Sequence, residues 1–256
     1  MYFNVSTEDM YHVSLYSSVF ASTFALAVHA SCDEFYFNKA KPNVAESNNY
    51  NSKTQELCYT EFAVLYSHSL NAPLYSVQRL SSKDIRGANE INRKNTFHSE
   101  PLAGSTVHPN DYTNSGYDKG HLTPAGDAST LAAQNETFTM ANMVPQSPEN
   151  NRVVWRTVER QIHDAAARLP DGQYLFVVTG ALFGDEKMKG KVGISEYMFK
   201  AVYSPSTGHV GVYVSPNNNS LTVSAMSLRS FENMTKIDPF PTLDADTKSK
   251  IKLTCH

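Results

Sequence analysis

Apolar residues recur along this chain with two spacings, and the changes between them mark out the elements. From 152 to 169, Trp155, Val158, Ile162, Ala165, Ala166 and Leu169 fall three or four apart. That is the period of a helix with one buried face, and Pro170-Asp171-Gly172 stops it. Residues 61–67 (EFAVLYS) and 74–80 (LYSVQRL) predict two strands around a turn at Asn71-Ala72-Pro73. The run 174–179 is apolar and β-branched and reads as a buried strand, and 196–204 with 209–215 as a hairpin about Pro205-Ser206-Thr207-Gly208. Residues 81–90, 128–140 and 221–235 are predicted helices. The stretch 92–116, rich in Pro, Asn, Ser and Gly, is a long excursion of the kind that often carries function. Hairpins interleave with helices instead of forming regular βαβ units. The class is therefore α+β, with a central, largely antiparallel sheet flanked by helices.

The chain has 256 residues and no internal repeat, which suits one domain with a core of its own. The formal net charge of −3 excludes a polycation that coats nucleic acid, although a local basic cleft is compatible with it. Basic residues do cluster, at Arg79, Lys83 and Arg86, at Arg93 and Lys94, and at Arg152, Arg156 and Arg160. Each cluster is either a solvated face or part of such a cleft.

Residues 19–30 (VFASTFALAVHA) form an apolar run of signal-peptide length with small residues at its end, too short to span a membrane. No Lys or Arg precedes Lys39, and Met10 offers an alternative start; the competing reading is a buried N-terminal helix. The expected organisation is a signal peptide over 1–30, a polar, Asn-rich arm over 31–57 and one domain over 58–256. Such a protein is secreted or periplasmic and has no membrane anchor. Three cysteines, Cys32, Cys58 and Cys255, permit three single pairings, and the sequence leaves the choice open. A Cys32–Cys58 bridge would tether the arm in an oxidising compartment.

Three clusters in some forty residues bring chemistry with them: Asp118-Lys119-Gly120-His121, then Asn142-Met143-Val144-Pro145-Gln146, then Asn151 with Trp155 and Glu159. Singly they are unremarkable; Asn151 near a helix start is also a natural cap. Together they supply a base, amides, a carboxylate and a cation in strand, loop and helix order. That set suits phosphodiester hydrolysis. Histidine deprotonates water near neutral pH, and a cation stabilises the charge that grows on phosphate oxygens. Mg2+ keeps most of its waters and needs only one or two protein oxygens, such as an Asn carbonyl backed by a carboxylate. A carboxylate cage for two metals is absent from the pattern.

On these motifs the chain resembles the DNA/RNA non-specific endonuclease family, the ββα-metal (His-Me finger) nucleases. The family's Asp-Arg-Gly-His is matched by Asp118 to His121, its Asn-x-x-Pro-Gln by Asn142 to Gln146, and its Asn-x3-Trp-x3-Glu helix by Asn151, Trp155 and Glu159. The likeness extends from about Cys58 to Pro241. It implies a Mg2+ enzyme, with Mn2+ as a substitute, that cuts DNA and RNA to 5′-phosphate ends. His121 is then the general base, Asn151 the direct metal ligand, and Glu159 a holder of the metal's water shell. Asn142 orients the site, and Arg93 in NRKNTFH contacts phosphate. Asp118, Gly120, Asp127 and Lys200 take structural or ion-pairing roles.

Two departures stand out. Lys119 replaces the signature arginine, keeping charge but losing the planar fork that grips phosphate. His163 stands where the family commonly has an arginine, which predicts weaker or pH-dependent substrate binding. The rival reading is a non-catalytic or weakly active nucleic-acid-binding relative of the same fold. Oligomeric state is not legible.

Overall fold

The structure, a computed structural model, describes residues 32–45, 53–101, 103–104 and 107–253. The expected signal peptide and Cys255 lie outside those residues. In chain order the strands are β1 (Asn43–Val44), β2 (Thr54–Cys58), β3 (Phe62–Ser67), β4 (Ala72–Leu80), β5 (Asp118–His121) and β6 (Met143–Gln146). They continue as β7 (Leu175–Met188), β8 (Val192–Tyr203), β9 (Val210–Pro216), β10 (Ser224–Met226) and β11 (Ile237–Asp238). The helices are α1 (Ser82–Asn89), α2 (Leu131–Thr137), α3 (Arg156–Ala167), α4 (Leu228–Thr235) and α5 (Ala245–Ser249).

Seven strands make an antiparallel sheet in the order β10-β9-β8-β7-β4-β3-β2. Its central strands read as almost unbroken apolar runs because both faces are covered. On one face Val177 and Val202 pack with Val158, Ile162 and Ala166 of α3, and Lys200 lies under the Trp155 ring. On the other, Phe199 meets Phe231 of α4, and Tyr203 meets Phe37 and Phe240. The alternation of β8 thus sends even positions toward α3 and odd positions toward α4. This is the α+β, largely antiparallel class expected from the hairpins.

Several boundaries differ from expectation, each for a local reason. The strand read at 174–179 runs on to Met188, since β8 pairs with it over that length. The helix read at 128–140 shrinks to α2: Thr130 caps its start, and the chain turns to a second short helix capped by Thr139. The helix read at 221–235 begins only at Leu228, where Ser227 accepts from the Ser230 N–H. The residues before it add β10 to the edge of the sheet. The segment expected as an arm contributes β2, paired with β3, and Cys32, Phe35 and Tyr36 are buried. Cys32 and Cys58 are joined in a disulfide. Among the described residues no helix is long and apolar enough to cross a membrane.

Candidate active site

β5 and β6 form a two-stranded antiparallel ribbon that sets Asp118 opposite Gln146 and His121 opposite Met143. The ribbon is tight because position 120 is glycine. A Cβ there would lie 2.1 Å from Gln146 Oε1 and 2.6 Å from its Cβ, so any side chain would push the strands apart. The chain then enters α3 through one wide turn, a π-helical segment over Asn150–Trp155. Such turns are rare and need outside support. Buried Asn150 provides it: its amide donates to Ser215 Oγ (2.6 Å) and Pro216 O (2.9 Å) and accepts from Gln146 Nε2 (2.6 Å). Strand β9 therefore holds the helix start that carries Asn151.

Ribbon, π turn and helix wall a cleft of about 660 Å³. His121, Asn151, Glu159, Lys119 and Arg93 all line it, as do Arg152, Arg156, Arg160, Asp127 and His163. Five cations face two carboxylates there, on a protein whose net charge is −3. The basic patch at 152–160 thus forms part of the cleft wall and makes the cleft locally basic.

His121 is buried, with its ring against Phe138 (5.0 Å) and Phe97 (5.7 Å). Burial, reinforced by the nearby Arg93 charge, pushes its pKa down from 6.5 to about 3, so the ring is neutral. Its Nε2 has no hydrogen-bond partner among the described residues. Asn151 donates its amide to Asp118 Oδ2 (3.0 Å). A carboxylate only accepts, so this contact fixes the amide's orientation and leaves Oδ1 on the opposite side. Asp118 is itself held by a bidentate pair with Arg152 (2.6 and 2.7 Å). Burial raises the Asp118 pKa, but Arg152, Asn151 and Lys119 together keep it below the usual value.

Burial pushes Glu159 above the ordinary carboxyl range, with Lys200 opposing the rise and Asp127 adding to it. Fully buried Lys200 donates to Thr179 Oγ1 (2.7 Å) and Leu122 O (3.3 Å), and burial lowers its pKa. His163 meets Asp127 (3.2 Å), which raises the histidine's pKa, and Asp127 also accepts from Gln78 (2.8 Å).

One expected site residue does not reach the cleft. Asn142 is fully buried, and its side chain is used up by backbone: it accepts from Thr123 N–H (3.0 Å) and donates to Thr123 O and Thr137 O (2.9 Å each). It positions the chain just beyond His121 and touches nothing that reacts. Asn150, Phe97 and Phe138 are site-building residues that the sequence reading did not single out. Their contacts come from distant parts of the chain, and no motif flags them.

The model of the DNA/RNA non-specific endonuclease family matches residues 39–246. The chain belongs to that family. Similar proteins include a nuclease from a Nostoc strain, 27% identical over 209 residues and 75% of each chain. The mitochondrial nuclease EXOG of Danio rerio is 32% identical over 181 residues, 62% of this chain and 51% of its own. EXOG from Homo sapiens is 27% identical over 219 residues, 75% of this chain and 58% of its own, so the match spans only part of the EXOG proteins. The fold is shared with EndoG in a crystal structure of the EndoG/EndoGI complex, with a TM-score of 0.62 and 19% identity over 80% of this chain and 95% of that one. Membership makes this chain a hydrolase of a metal-dependent nuclease family, built on the ββα-metal fold.

Proposed function

We propose that this endonuclease-family chain hydrolyses phosphodiester bonds of DNA and RNA without sequence preference, using Mg2+ and leaving 5′-phosphate ends. One observation carries the reading: buried, neutral His121, its Nε2 unpaired, lines the same cleft as Asn151 and Glu159.

The donor set fits the metal. Asn151 Oδ1 is turned away from Asp118, and Glu159 offers a carboxylate in the same cleft. Two oxygen donors of this kind suit an ion that keeps several waters. Asn151 would bind it directly and Glu159 through water, with Mn2+ as a substitute. When bound, the ion supplies positive charge to the leaving oxygen and the phosphate. His121 takes the proton of the attacking water. Lys119 and Arg93 face the phosphate from the cleft wall, and Asp118 keeps Asn151 turned toward its task. Contacts to backbone phosphate carry no sequence information, which accounts for the lack of preference. We also place the protein outside the cytosol, in a secreted or periplasmic setting. The Cys32–Cys58 disulfide supports this.

The test is cleavage of plasmid DNA and of RNA by purified protein, in Mg2+ or in EDTA, beside His121→Ala. Cleavage that needs Mg2+ and falls by orders of magnitude in the variant is expected. Equal rates for the two proteins in Mg2+ would overturn the proposal.

A further inference from the structure

Lys119 is a flexible point charge on a four-carbon stem, so its use at a phosphate depends on what holds it. It is not held by an acid. The Asp118 carboxylate is taken up by Arg152 and Asn151, and Lys119 makes no ion pair among the described residues. Two rings receive it instead: its Nζ lies 5.0 Å from the centre of Phe97 and 5.7 Å from that of Tyr112. Phe97 stands perpendicular to Phe138 at 5.0 Å, and both rings touch His121. Phe138 in turn carries the Arg93 guanidinium at 5.3 Å. Two cations of the cleft thus rest on the two rings that flank the histidine. Backbone bonds from His98 N–H to Phe138 O (3.2 Å) and from Met140 N–H to His98 O (2.8 Å) fix the long excursion right beside Phe97.

We propose that Phe97 is a positioning residue of the nuclease site: its ring seats the Lys119 ammonium beside His121 without neutralising it. The physical distinction is from a carboxylate seat. A carboxylate would hold the lysine by cancelling the charge that phosphate needs. A ring face attracts a cation through its quadrupole and leaves the full charge available. The inference rests on the cleft being the nuclease site, and its test is separable from that reading.

The experiment has two arms on the full chain. In the first, kcat and KM on plasmid DNA in Mg2+ are measured for wild type, Phe97→Leu, Phe97→Tyr, Lys119→Met and the Phe97→Leu/Lys119→Met double variant, with Tm checked for each. Phe97→Leu keeps apolar bulk and loses the ring. It is expected to lower kcat/KM by roughly two- to thirty-fold, the span of cation–π contacts from exposed to desolvated. Phe97→Tyr should recover most of that loss. In the Lys119→Met background the same leucine should cost much less. An equal cost with and without Lys119, or a tyrosine variant no better than leucine, overturns the proposal. The second arm needs neither activity nor a variant at 97. In wild-type protein labelled with 13C-lysine, the Lys119 ε-methylene protons, assigned by their loss in Lys119→Met, should be shifted upfield by the ring currents. An ordinary lysine shift overturns the seat. If wild type and His121→Ala cleave alike, the proposed function falls, while the ring-current shift still decides where Lys119 sits.

Discussion

The buried histidine that lines the cleft makes a thermodynamic prediction that needs no substrate. In the native state its pKa falls from 6.5 to about 3, first through burial and second through the charge of Arg93. Between those values the unfolded chain binds a proton that the native protein refuses. Stability is therefore fully present above pH 6.5 and is lost as the pH falls toward about 3. The slope is about 1.4 kcal/mol per pH unit, which gives a loss of about 2 kcal/mol at pH 5. That is a large share of a net stability of about 5–15 kcal/mol. The assay is urea unfolding in EDTA, followed by the fluorescence of Trp155, the single tryptophan, which is only 1% exposed. Wild type and His121→Asn are compared at about pH 7 and about pH 5. The variant loses ring packing at both, a constant offset, and the carboxylates titrate in both proteins. What remains is the histidine: the wild type's advantage should shrink by about 2 kcal/mol at the lower pH. A difference between wild type and His121→Asn that does not move with pH refutes the buried, neutral histidine.

Other outcomes follow from the same geometry. Asn142→Ala strips partners from three buried backbone groups and should cost about 3 kcal/mol or more in urea unfolding. Lys119→Arg restores the planar fork and should raise kcat/KM; unchanged or lower activity would show that lysine is no compromise here. Asp127 raises the His163 pKa, so that pair's stabilisation is present below pH 6.5 and lost as the pH rises through the raised value; the stability gap between wild type and His163→Gln should narrow accordingly. Removing the Cys32–Cys58 bridge, which spans 26 residues, should cost about 3.5 kcal/mol by chain entropy, read from the urea midpoint of the double serine variant.

The parts of this fold that could be read in the sequence are those whose information is local. Helix α3 announces itself by its apolar period, β3 and β4 by their β-branched and aromatic runs, and the site by three short motifs in order. What stayed hidden depends on partners far along the chain. The π turn before α3 exists because Asn150 is bonded to Ser215 and Pro216, some 65 residues on. The short β10 exists because β9 offers an edge, which 221–226 cannot reveal. Asn142 is the instructive case. Its motif belongs to the family signature, yet its three backbone bonds show a side chain that holds the chain together and does not reach the cleft.

That distinction between used and unused polar groups separates scaffold from chemistry more sharply than motif membership does. A buried polar atom without a partner costs about 1–3 kcal/mol, so folded chains rarely keep one idle. Asn142 and Asn150 have every reachable bond made, and their work is done once the chain is folded. Five buried side-chain atoms lack partners among the described residues: those of Tyr112, His121, Thr123, Gln146 and Trp155. Of these residues, His121 alone lines the cleft. Its neighbours explain how the cost is carried. Phe97 and Phe138 grip the ring, Asn142 fastens the chain after it, and Gly120 lets the strand before it lie close to β6. The packing around His121 thus goes into holding one neutral imidazole at the wall of a basic cleft, which is the state the proposed general base requires.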